Sequence, residues 1–264
     1  MPLLEGVIPG LIGVSVVIPT LRKLMPESSM DNPMSISAAK AVAKQSNWLA
    51  SQPPLLVDEF LDLAILKPLA AEQTLFRMGD PRGGLYGVIQ GAMRFEYATS
   101  GSGSHILGCF QRGIWFGQAL ELSEAPQRRT TFNAVGETLL LEVPLSKLQA
   151  FRKSSADAAT MIGNSALLIL QYAERTVLDL LIPKANKRAA SALLRVSNYP
   201  VGLPPESGWF IPLNQSDLAQ VANCSRDVMN RSIGEFQKRG WLEKQGRAIR
   251  LIDPEALSAF AYSE

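Results

Sequence analysis

Four side chains near the end of the chain are of the types that hydrogen-bond to nucleic-acid bases. They fall within residues 226–231, at spacings that place them on one face of a helix. An arginine can hold guanine O6 and N7 together, an aspartate can accept from cytosine N4, and an asparagine can pair with adenine. We therefore expect a helix that presents these side chains to a DNA groove: Arg226, Asp227, Asn230 and Arg231.

The residues around this helix predict a helix-turn-helix. Asn214 and Ser225 are of the types that cap helix N-termini, and Asn223 tolerates the left-handed backbone that the intervening turn requires. We include Gln215 and Ser225 among the predicted DNA contacts. Apolar residues at helical spacing predict the buried side of the two helices: Leu218, Val221, Ala222, Met229, Ile233 and Phe236.

A short basic segment follows the predicted recognition helix. Lys244-Gln245-Gly246-Arg247 is typical of a hairpin turn, and we expect Lys244 and Arg247 to contact phosphates from a β-wing. Residues 214–252 contain seven Lys or Arg against four Asp or Glu, whereas the whole chain carries a net charge of only +2. The positive charge is thus concentrated where DNA contacts are predicted.

The rest of the chain offers little for catalysis. It has no Walker loop, nucleophile–base pair or metal-ligand constellation, and His105 is its single histidine. Cys109 and Cys224 form no CxxC pair, which argues against a disulfide framework and favours a reducing cytoplasm. We therefore expect a protein that is not an enzyme and has no metal or cofactor, with His105 as a surface residue and neither cysteine as a redox switch.

The segment 55–153 is punctuated by glycines and contains two-residue apolar alternation, as at Met93, Phe95 and Tyr97. This pattern is typical of short antiparallel strands, and it predicts a β-roll or barrel. Residues 1–54 are expected to form a poorly ordered extension. The apolar run 7–18 within it is too short for a membrane span, which needs about 20 residues. The remaining predicted domains are a long helix with a hinge at 154–183 and the winged unit at 184–264.

The long helix, predicted near residues 155–182, has two apolar stripes. We assign the first to a dimer interface because it follows a heptad pattern, and the second to contact with the roll. The alternative is one broad face buried within a single subunit. Pro183 then interrupts the helix and marks a hinge. The predicted dimer seam comprises Ile162, Ala166, Ile169, Ala173, Thr176 and Leu180, and the second stripe comprises Leu167, Leu170, Val177 and Leu181.

The order of these parts resembles the Crp/Fnr family of bacterial regulators over residues 55–252. The segment 224–231, Cys-Ser-Arg-Asp-Val-Met-Asn-Arg, is similar to the family motif Cys-Ser-Arg-Glu-x-x-x-Arg. The resemblance implies that Arg226, Asp227 and Arg231 contact bases, with aspartate where the family usually has glutamate. The fold it implies is α+β: an antiparallel β-roll of the cyclic-nucleotide-binding type, a long dimerisation helix and a winged helix-turn-helix domain.

The same resemblance implies an effector pocket in the roll. Cyclic-AMP-binding members hold the ribose with a glutamate, which is Gln118 here, and the phosphate with an arginine, which is Arg128 here. In nucleotide-responsive members a hydroxyl side chain at this position hydrogen-bonds with adenine, and alanine at 173 can make no such bond. The pocket is therefore expected to be altered, with the cyclic-AMP-responsive regulator as the alternative. The implied pocket residues are Gly117, Gln118, Arg128, Arg129, Thr130, Ala173 and Glu174.

These expectations combine into a homodimeric transcription regulator that binds palindromic double-stranded DNA. The resemblance also implies contact with RNA polymerase and control by a small-molecule effector. The expected location is the cytoplasm, with no membrane association. A protein of a different class remains open: a signalling or scaffold protein whose winged helix binds another protein.

Overall fold

The computed structural model describes residues 34–99, 101, 103–117, 127–204, 208–246 and 248–263. The chain from Ser35 onward forms one compact unit. Helices come first, then an antiparallel sheet, a long helix, and a mixed unit of helices and short strands, which confirms the predicted α+β class. Two predicted contact residues, Gln118 and Arg247, lie outside the described residues, as do residues 1–33 of the predicted extension.

The prediction of a poorly ordered segment 1–54 is wrong for its last part. Helices α1 (Ile36–Lys44) and α2 (Asn47–Ala50) precede α3 (Pro54–Asp62). The Ser35 hydroxyl caps α1, and Ala39 and Ala43, one turn apart, are buried. The indole Nε1 of Trp48 donates to the Met161 carbonyl at 3.2 Å. These contacts offset the entropy of ordering the segment, which its composition alone does not reveal.

The predicted roll is an antiparallel sheet. Its strands are β1 (Ile65–Leu69), β2 (Thr74–Phe76), β3 (Leu85–Thr99), β4 (Gly103–Gln111), β5 (Trp115–Phe116) and β6 (Thr131–Val143). They pair in the order β1-β6-β3-β4, with β2 paired to β6 and β5 paired to β3. Met93 and Phe95 are buried, as their alternation predicts, while Tyr97 is exposed near the strand end.

Strand β3 bends at Gly91, where its register against β6 shifts. Gly91 has a φ of +79°, and a Cβ at this position would lie 2.5 Å from the Glu137 carbonyl oxygen. Glycine is therefore required both by the backbone conformation and by the close approach of β6. The bend lets one long strand follow the curvature of the roll.

Two helices follow the roll: α4 (Leu145–Ser154) and the long helix α5 (Ala156–Leu180). The Ser155 hydroxyl accepts from the Ala158 amide at 3.0 Å and caps α5. Ile162 is fully buried within the chain, and Ile169 packs against the aromatic core of the roll. The predicted dimer seam is therefore wrong at Ile162, which the same chain covers completely, while Ile169 is only partly buried.

The whole second apolar stripe of α5 faces outward. Leu167, Leu170, Val177 and Leu181 are 54%, 53%, 58% and 71% exposed. Of the first stripe, Ala173 and Leu180 are exposed as well, while Ile162 and Ile169 face the rest of the chain, so the second stripe does not contact the roll as expected. The reason is Tyr172, whose ring packs edge-on against Phe95 and Phe110 of the roll and fixes which side of α5 points inward.

The last unit contains α6 (Ala185–Val196), β7 (Phe210–Ile211), α7 (Gln215–Val221), α8 (Arg226–Lys238), β8 (Leu242–Gln245), β9 (Ala248–Leu251) and α9 (Pro254–Tyr262). Its strands pair in the order β7-β9-β8. Leu193 of α6, Phe236 of α8 and Leu257 of α9 belong to one buried cluster. That cluster also includes Ile106 and Cys109 of strand β4, so the core is continuous from this unit into the roll.

Polar contacts also join the last unit to the roll and to the long helix. Arg94 of β3 pairs with Asp217 of α7 at 3.3 Å, and the Gln111 side-chain amide donates to the Val196 carbonyl at 2.7 Å. Asp179 and Arg195, both 2% exposed, form an ion pair at 3.0 Å between α5 and α6. These contacts fix the helix-turn-helix against the sensor half of the chain.

Candidate nucleic-acid interface and sensor pocket

The helix-turn-helix is set up by local hydrogen bonds of the predicted kind. The Asn214 side chain accepts from the amides of Ser216 and Asp217 at 2.9 and 3.0 Å, which caps α7. The Ser225 hydroxyl accepts from the Val228 amide at 3.2 Å and caps α8. Asn223 has a φ of +46°, the left-handed turn conformation expected of it. These three predictions are confirmed.

Helix α8 separates its apolar and polar faces sharply. Met229, Ile233 and Phe236 are fully buried, as predicted. Arg231 directs its Nε toward the Asp227 carbonyl at 3.4 Å, a contact along the helix surface. Gln215, at the start of α7, is half-buried. The four predicted base-reading side chains are all exposed on the outer face of α8: Arg226, Asp227, Asn230 and Arg231.

The predicted wing is a hairpin of β8 and β9. Lys244 pairs with Ile249 and Gln245 with Ala248 in this hairpin. Gly246 has a φ of +62°, which glycine adopts without strain. Lys244 is exposed on β8. Its flexible ammonium group is a suitable phosphate contact.

Two arginines of α6, absent from the predicted site residues, hold the end of α7. The guanidinium of Arg188 donates to the carbonyls of Ala222 at 3.3 Å and Asn223 at 3.1 Å. Arg195 donates to the Val221 carbonyl at 3.3 Å. Cations favour helix C-termini, where carbonyls lack partners within the helix. These residues position the turn before α8, and no sequence motif marks them.

Aromatic rings form a buried cluster in the roll. Phe116 and Phe132 stack with centroids 4.5 Å apart and an interplanar angle of 3°. Phe95 stacks on Phe132 at 5.4 Å and on Phe110 at 4.5 Å. Tyr172 of the long helix packs against the same cluster.

Arg128 lies beside this aromatic cluster and is only 4% exposed. Its guanidinium carbon is 4.0 Å from the centroid of the Phe76 ring, and its Nη2 donates to the Gly84 carbonyl at 3.4 Å. Its Nε has no hydrogen-bond partner among the described residues. Burial lowers the pKa of Arg128, and burial beside Glu142 raises the pKa of Tyr86 to about 12. The site thus contains a desolvated cation with a free donor.

The other predicted pocket residues divide into two groups, one on the roll near Arg128 and one on α5. A Cβ at Gly117 would be 3.5 Å from the Arg128 Nη1, so these two predicted pocket residues do meet. Arg129 is exposed and Thr130 is half-buried. Placing Ala173 and Glu174 in this pocket is wrong within the single chain, since both are exposed on α5. Successive helix residues turn by about 100°, so the inward position of Tyr172 turns these two away.

The environments of the cysteines agree with a structural role for both. Cys109 is fully buried, and burial raises the pKa of its thiol well above the ordinary range. Burial also raises the pKa of Cys224. Within the described ranges, no group of three or more His, Cys, Asp or Glu is arranged to hold a metal ion. Of the helices that the structure describes, none has the length and apolarity to cross a bilayer.

Comparison with known proteins agrees with both halves of the chain. Residues 66–155 match the family model of the cyclic nucleotide-binding domain, and residues 187–260 match that of the Crp-like helix-turn-helix domain. The chain is 22% identical over 208 residues to the cAMP-activated global transcriptional regulator CRP of Haemophilus influenzae, covering 79% of this chain and 93% of that protein.

Two further comparisons cover most of the same region. The transcriptional activator protein FnrA of Stutzerimonas stutzeri is 24% identical over 203 residues, covering 74% of this chain and 80% of that protein. The structure of FixK2 from Bradyrhizobium japonicum has a TM-score of 0.65 at 21% identity, covering 76% of this chain and 98% of that one. With a cyclic-nucleotide-binding domain followed by a Crp-like helix-turn-helix, the chain belongs to the Crp/Fnr family of transcription regulators, which are not enzymes.

Proposed function

We propose that this regulator is a homodimer that binds palindromic DNA by inserting α8 into the major groove. The observation that carries the proposal is the division of α8 into a buried face and a face with two arginines, an aspartate and an asparagine. The caps at Asn214 and Ser225 support the proposal because they orient the helix independently of DNA. Lys244 on the wing is suited to a neighbouring phosphate.

The test is capture of sheared genomic DNA by the purified chain, followed by mobility-shift titration of the enriched fragments. Specific sites should bind at least ~10³-fold more tightly than random duplex of equal length at physiological salt. Failure to enrich any fragment, together with stable capture of one protein partner, would instead favour the scaffold function left open by the sequence.

Dimerisation is proposed through the exposed stripe of α5, defined by Leu167, Leu170, Val177 and Leu181. Spacings of three, seven and four residues fit the a and d positions of a heptad, with Glu174 at the a position between them. Apolar surface of this extent is costly to leave in water, which favours burial against the same stripe of a second copy. A parallel pair of α5 helices would place the two helix-turn-helix units on the same side.

The roll is proposed to be unable to bind a cyclic nucleotide in the standard way. Two features support this: Phe95, Phe116 and Phe132 already stack on one another in the buried core of the roll, and Gln118 stands where the resemblance implies a glutamate. Arg128 retains the capacity to pair with a small anion.

Calorimetric titration with cyclic AMP, cyclic GMP and cyclic di-GMP tests this part. We expect no saturable heat at up to millimolar nucleotide. Saturable binding of cyclic AMP that is abolished in Arg128→Gln and retained in the surface control Arg82→Gln would establish the cyclic-AMP-responsive alternative instead.

A further inference from the structure

A cavity lies beside the aromatic core of the roll, where the sensor half meets the DNA-binding half, and Phe110 of that core is one of its lining residues. This cavity, called here the junction cavity, has a volume of about 150 Å³. Its walls come from α2, the segment around β5, helix α5, and the chain from α6 to Val201. Neither Gly117 nor Arg128 contributes to it, so it is separate from the family's nucleotide pocket.

The walls of the junction cavity are mainly apolar and aromatic. A cavity of about 150 Å³ lined by apolar side chains is large enough to bind a single benzene-sized ring. Aromatic walls favour a planar guest through edge-to-face and stacked contacts. The apolar lining residues include Trp48, Ile114, Trp115, Leu168, Ile169 and Tyr199.

The polar lining includes two arginines, Arg175 and Arg195. Arg175 donates from Nη1 to the Tyr199 carbonyl at 2.9 Å and also lies near the Tyr262 hydroxyl. Neither partner is an anion, and these contacts use only part of the five guanidinium N–H groups. Tyr172, one turn earlier on α5, has a buried hydroxyl without a hydrogen-bond partner among the residues that the structure describes. This polar edge suits an anionic acceptor rather than a cation.

We propose that the junction cavity binds a small aromatic or alicyclic carboxylate, with its ring against the apolar wall that includes Trp48 and Trp115 and its carboxylate on Arg175. Single-ring carboxylates match both the volume and the separation of apolar walls from a cationic edge. Charge-assisted pairing of guanidinium with carboxylate supplies specificity over neutral ligands of the same shape. A nucleotide is too large for this space.

Binding at this place would reach the helix-turn-helix through Arg195, which also lines the cavity. Its guanidinium carbon is 5.8 Å from the centroid of the Tyr172 ring, and its Nη2 donates to the Val221 carbonyl at the end of α7. A ligand that favours one position of Arg195 therefore favours one position of the turn before α8. This coupling rests on the proposed DNA-binding function, whereas the binding site itself does not.

The test measures binding of two probes to the protein without DNA: 4-fluorobenzoate and the neutral 4-fluorobenzyl alcohol. Titrations monitored by ¹⁹F NMR give the affinity for each probe. Wild type should bind both saturably, and benzoate more tightly. Arg175→Gln should lower the affinity for the benzoate roughly tenfold, the size expected for one charge-assisted hydrogen bond. Its affinity for the alcohol should stay within about twofold of the wild-type value. Lys147→Gln, which removes an equal charge from the exposed surface of α4, should bind both probes as wild type does.

Two more variants separate the site from general effects on folding. Leu168→Phe should fill the cavity and abolish binding of both probes at an unchanged melting temperature. Gln171→Glu, an exposed lining position, should weaken only benzoate. The proposal is overturned if wild type binds neither probe, if Leu168→Phe binds like wild type, or if Lys147→Gln weakens benzoate as much as Arg175→Gln does.

A separate arm measures coupling to DNA. Saturating 4-fluorobenzoate should change the affinity for a captured genomic site at least about threefold in wild type and not in Leu168→Phe, a coupling of the size that ligand linkage ordinarily gives. Probe binding without any change in DNA affinity would contradict the coupling alone. Probe binding by a protein that retains no DNA would contradict the proposed function and leave the ligand site standing.

Discussion

At the scale of single residues, recognition of DNA depends on which side chains of α8 are free to meet it. Arg226 and Arg231 are exposed, and Arg231 makes only a long hydrogen bond to the Asp227 carbonyl. Neither arginine must therefore break a strong internal contact to bind a base. Asp227 can accept from a cytosine amino group or orient Arg226, as its shorter side chain allows.

Arg226→Ala should weaken binding to a captured operator by about 1–3 kcal/mol and relax the preference at one base pair. The expected cause is removal of a bidentate contact with guanine. Titration of the operator and its single-base variants measures both effects. Arg82→Ala, which removes an exposed arginine from the roll, is the matched control and should bind as wild type does. If Arg226→Ala binds the operator and its variants as wild type does, Arg226 does not contact the bases.

Lys244→Ala should weaken operator and random DNA by the same factor, because a phosphate contact carries no sequence information. If Lys244 neutralises one phosphate, the slope of log K against log salt should become less steep by about 0.9. Anisotropy titrations over a salt series measure the slope. A change in base preference without a change in slope would contradict the assignment of Lys244 to the phosphate backbone.

At the scale of elements, α5 has one apolar face on the roll and one in solvent. The exposed stripe is interrupted by Glu174, and in a parallel pair the two Glu174 side chains would face each other. Like charges at such a seam reduce stability and help to set register. The stripe therefore accounts for pairing, and Glu174 limits its strength.

Leu170→Glu combined with Val177→Glu should convert the protein to a monomer at micromolar concentration. Four introduced carboxylates would then join the two Glu174 side chains at the seam, and their repulsion opposes pairing. Sedimentation velocity measures the mass. Leu55→Glu, which changes an exposed leucine on α3, is the control and should leave the mass unchanged.

Glu174→Leu supplies a change in the opposite direction, since it completes the heptad and should tighten the dimer. A double variant that stays dimeric, or a Glu174→Leu protein that dissociates more readily, would mean that α5 pairs through another surface or not at all.

How far these elements can be predicted from sequence depends on how local their causes are. The caps at Asn214 and Ser225 and the left-handed Asn223 are predictable because each acts within three residues. The two faces of α5 can be found but not assigned, because Tyr172 meets the roll through contacts far away in the chain. Arg188 escapes prediction, since it donates to backbone carbonyls that no side-chain pattern reveals.

At the scale of the whole molecule, a buried ion pair joins the sensor and DNA-binding halves. Asp179 of α5 accepts from Arg195 of α6 and from the Tyr262 hydroxyl of α9 at 2.8 Å. Arg195 in turn donates to the Leu107 carbonyl of β4 at 3.3 Å. One charged pair thus touches the long helix, the roll and the last helix of the chain.

Asp179→Leu alone should destabilise the protein by about 3–5 kcal/mol, because it leaves the Arg195 charge buried without a counter-ion. The double variant Asp179→Leu with Arg195→Met should lose at least about 2 kcal/mol less unfolding free energy than the two single variants lose together. Urea unfolding at one fixed protein concentration gives the three free energies, which must be compared at equal dimer population. Strict additivity would mean that the two charges do not stabilise each other.

In the proposed regulator, two copies of α8 bind one DNA duplex together. Selection of bound duplexes from a random-sequence pool by the wild-type protein tests this pairing without any variant. We predict an imperfect palindrome whose half-site centres lie one helical turn apart, about 34 Å, or a multiple of that distance. Enrichment of a single unpaired site, or no enrichment over many rounds, would contradict binding by a symmetric pair of recognition helices.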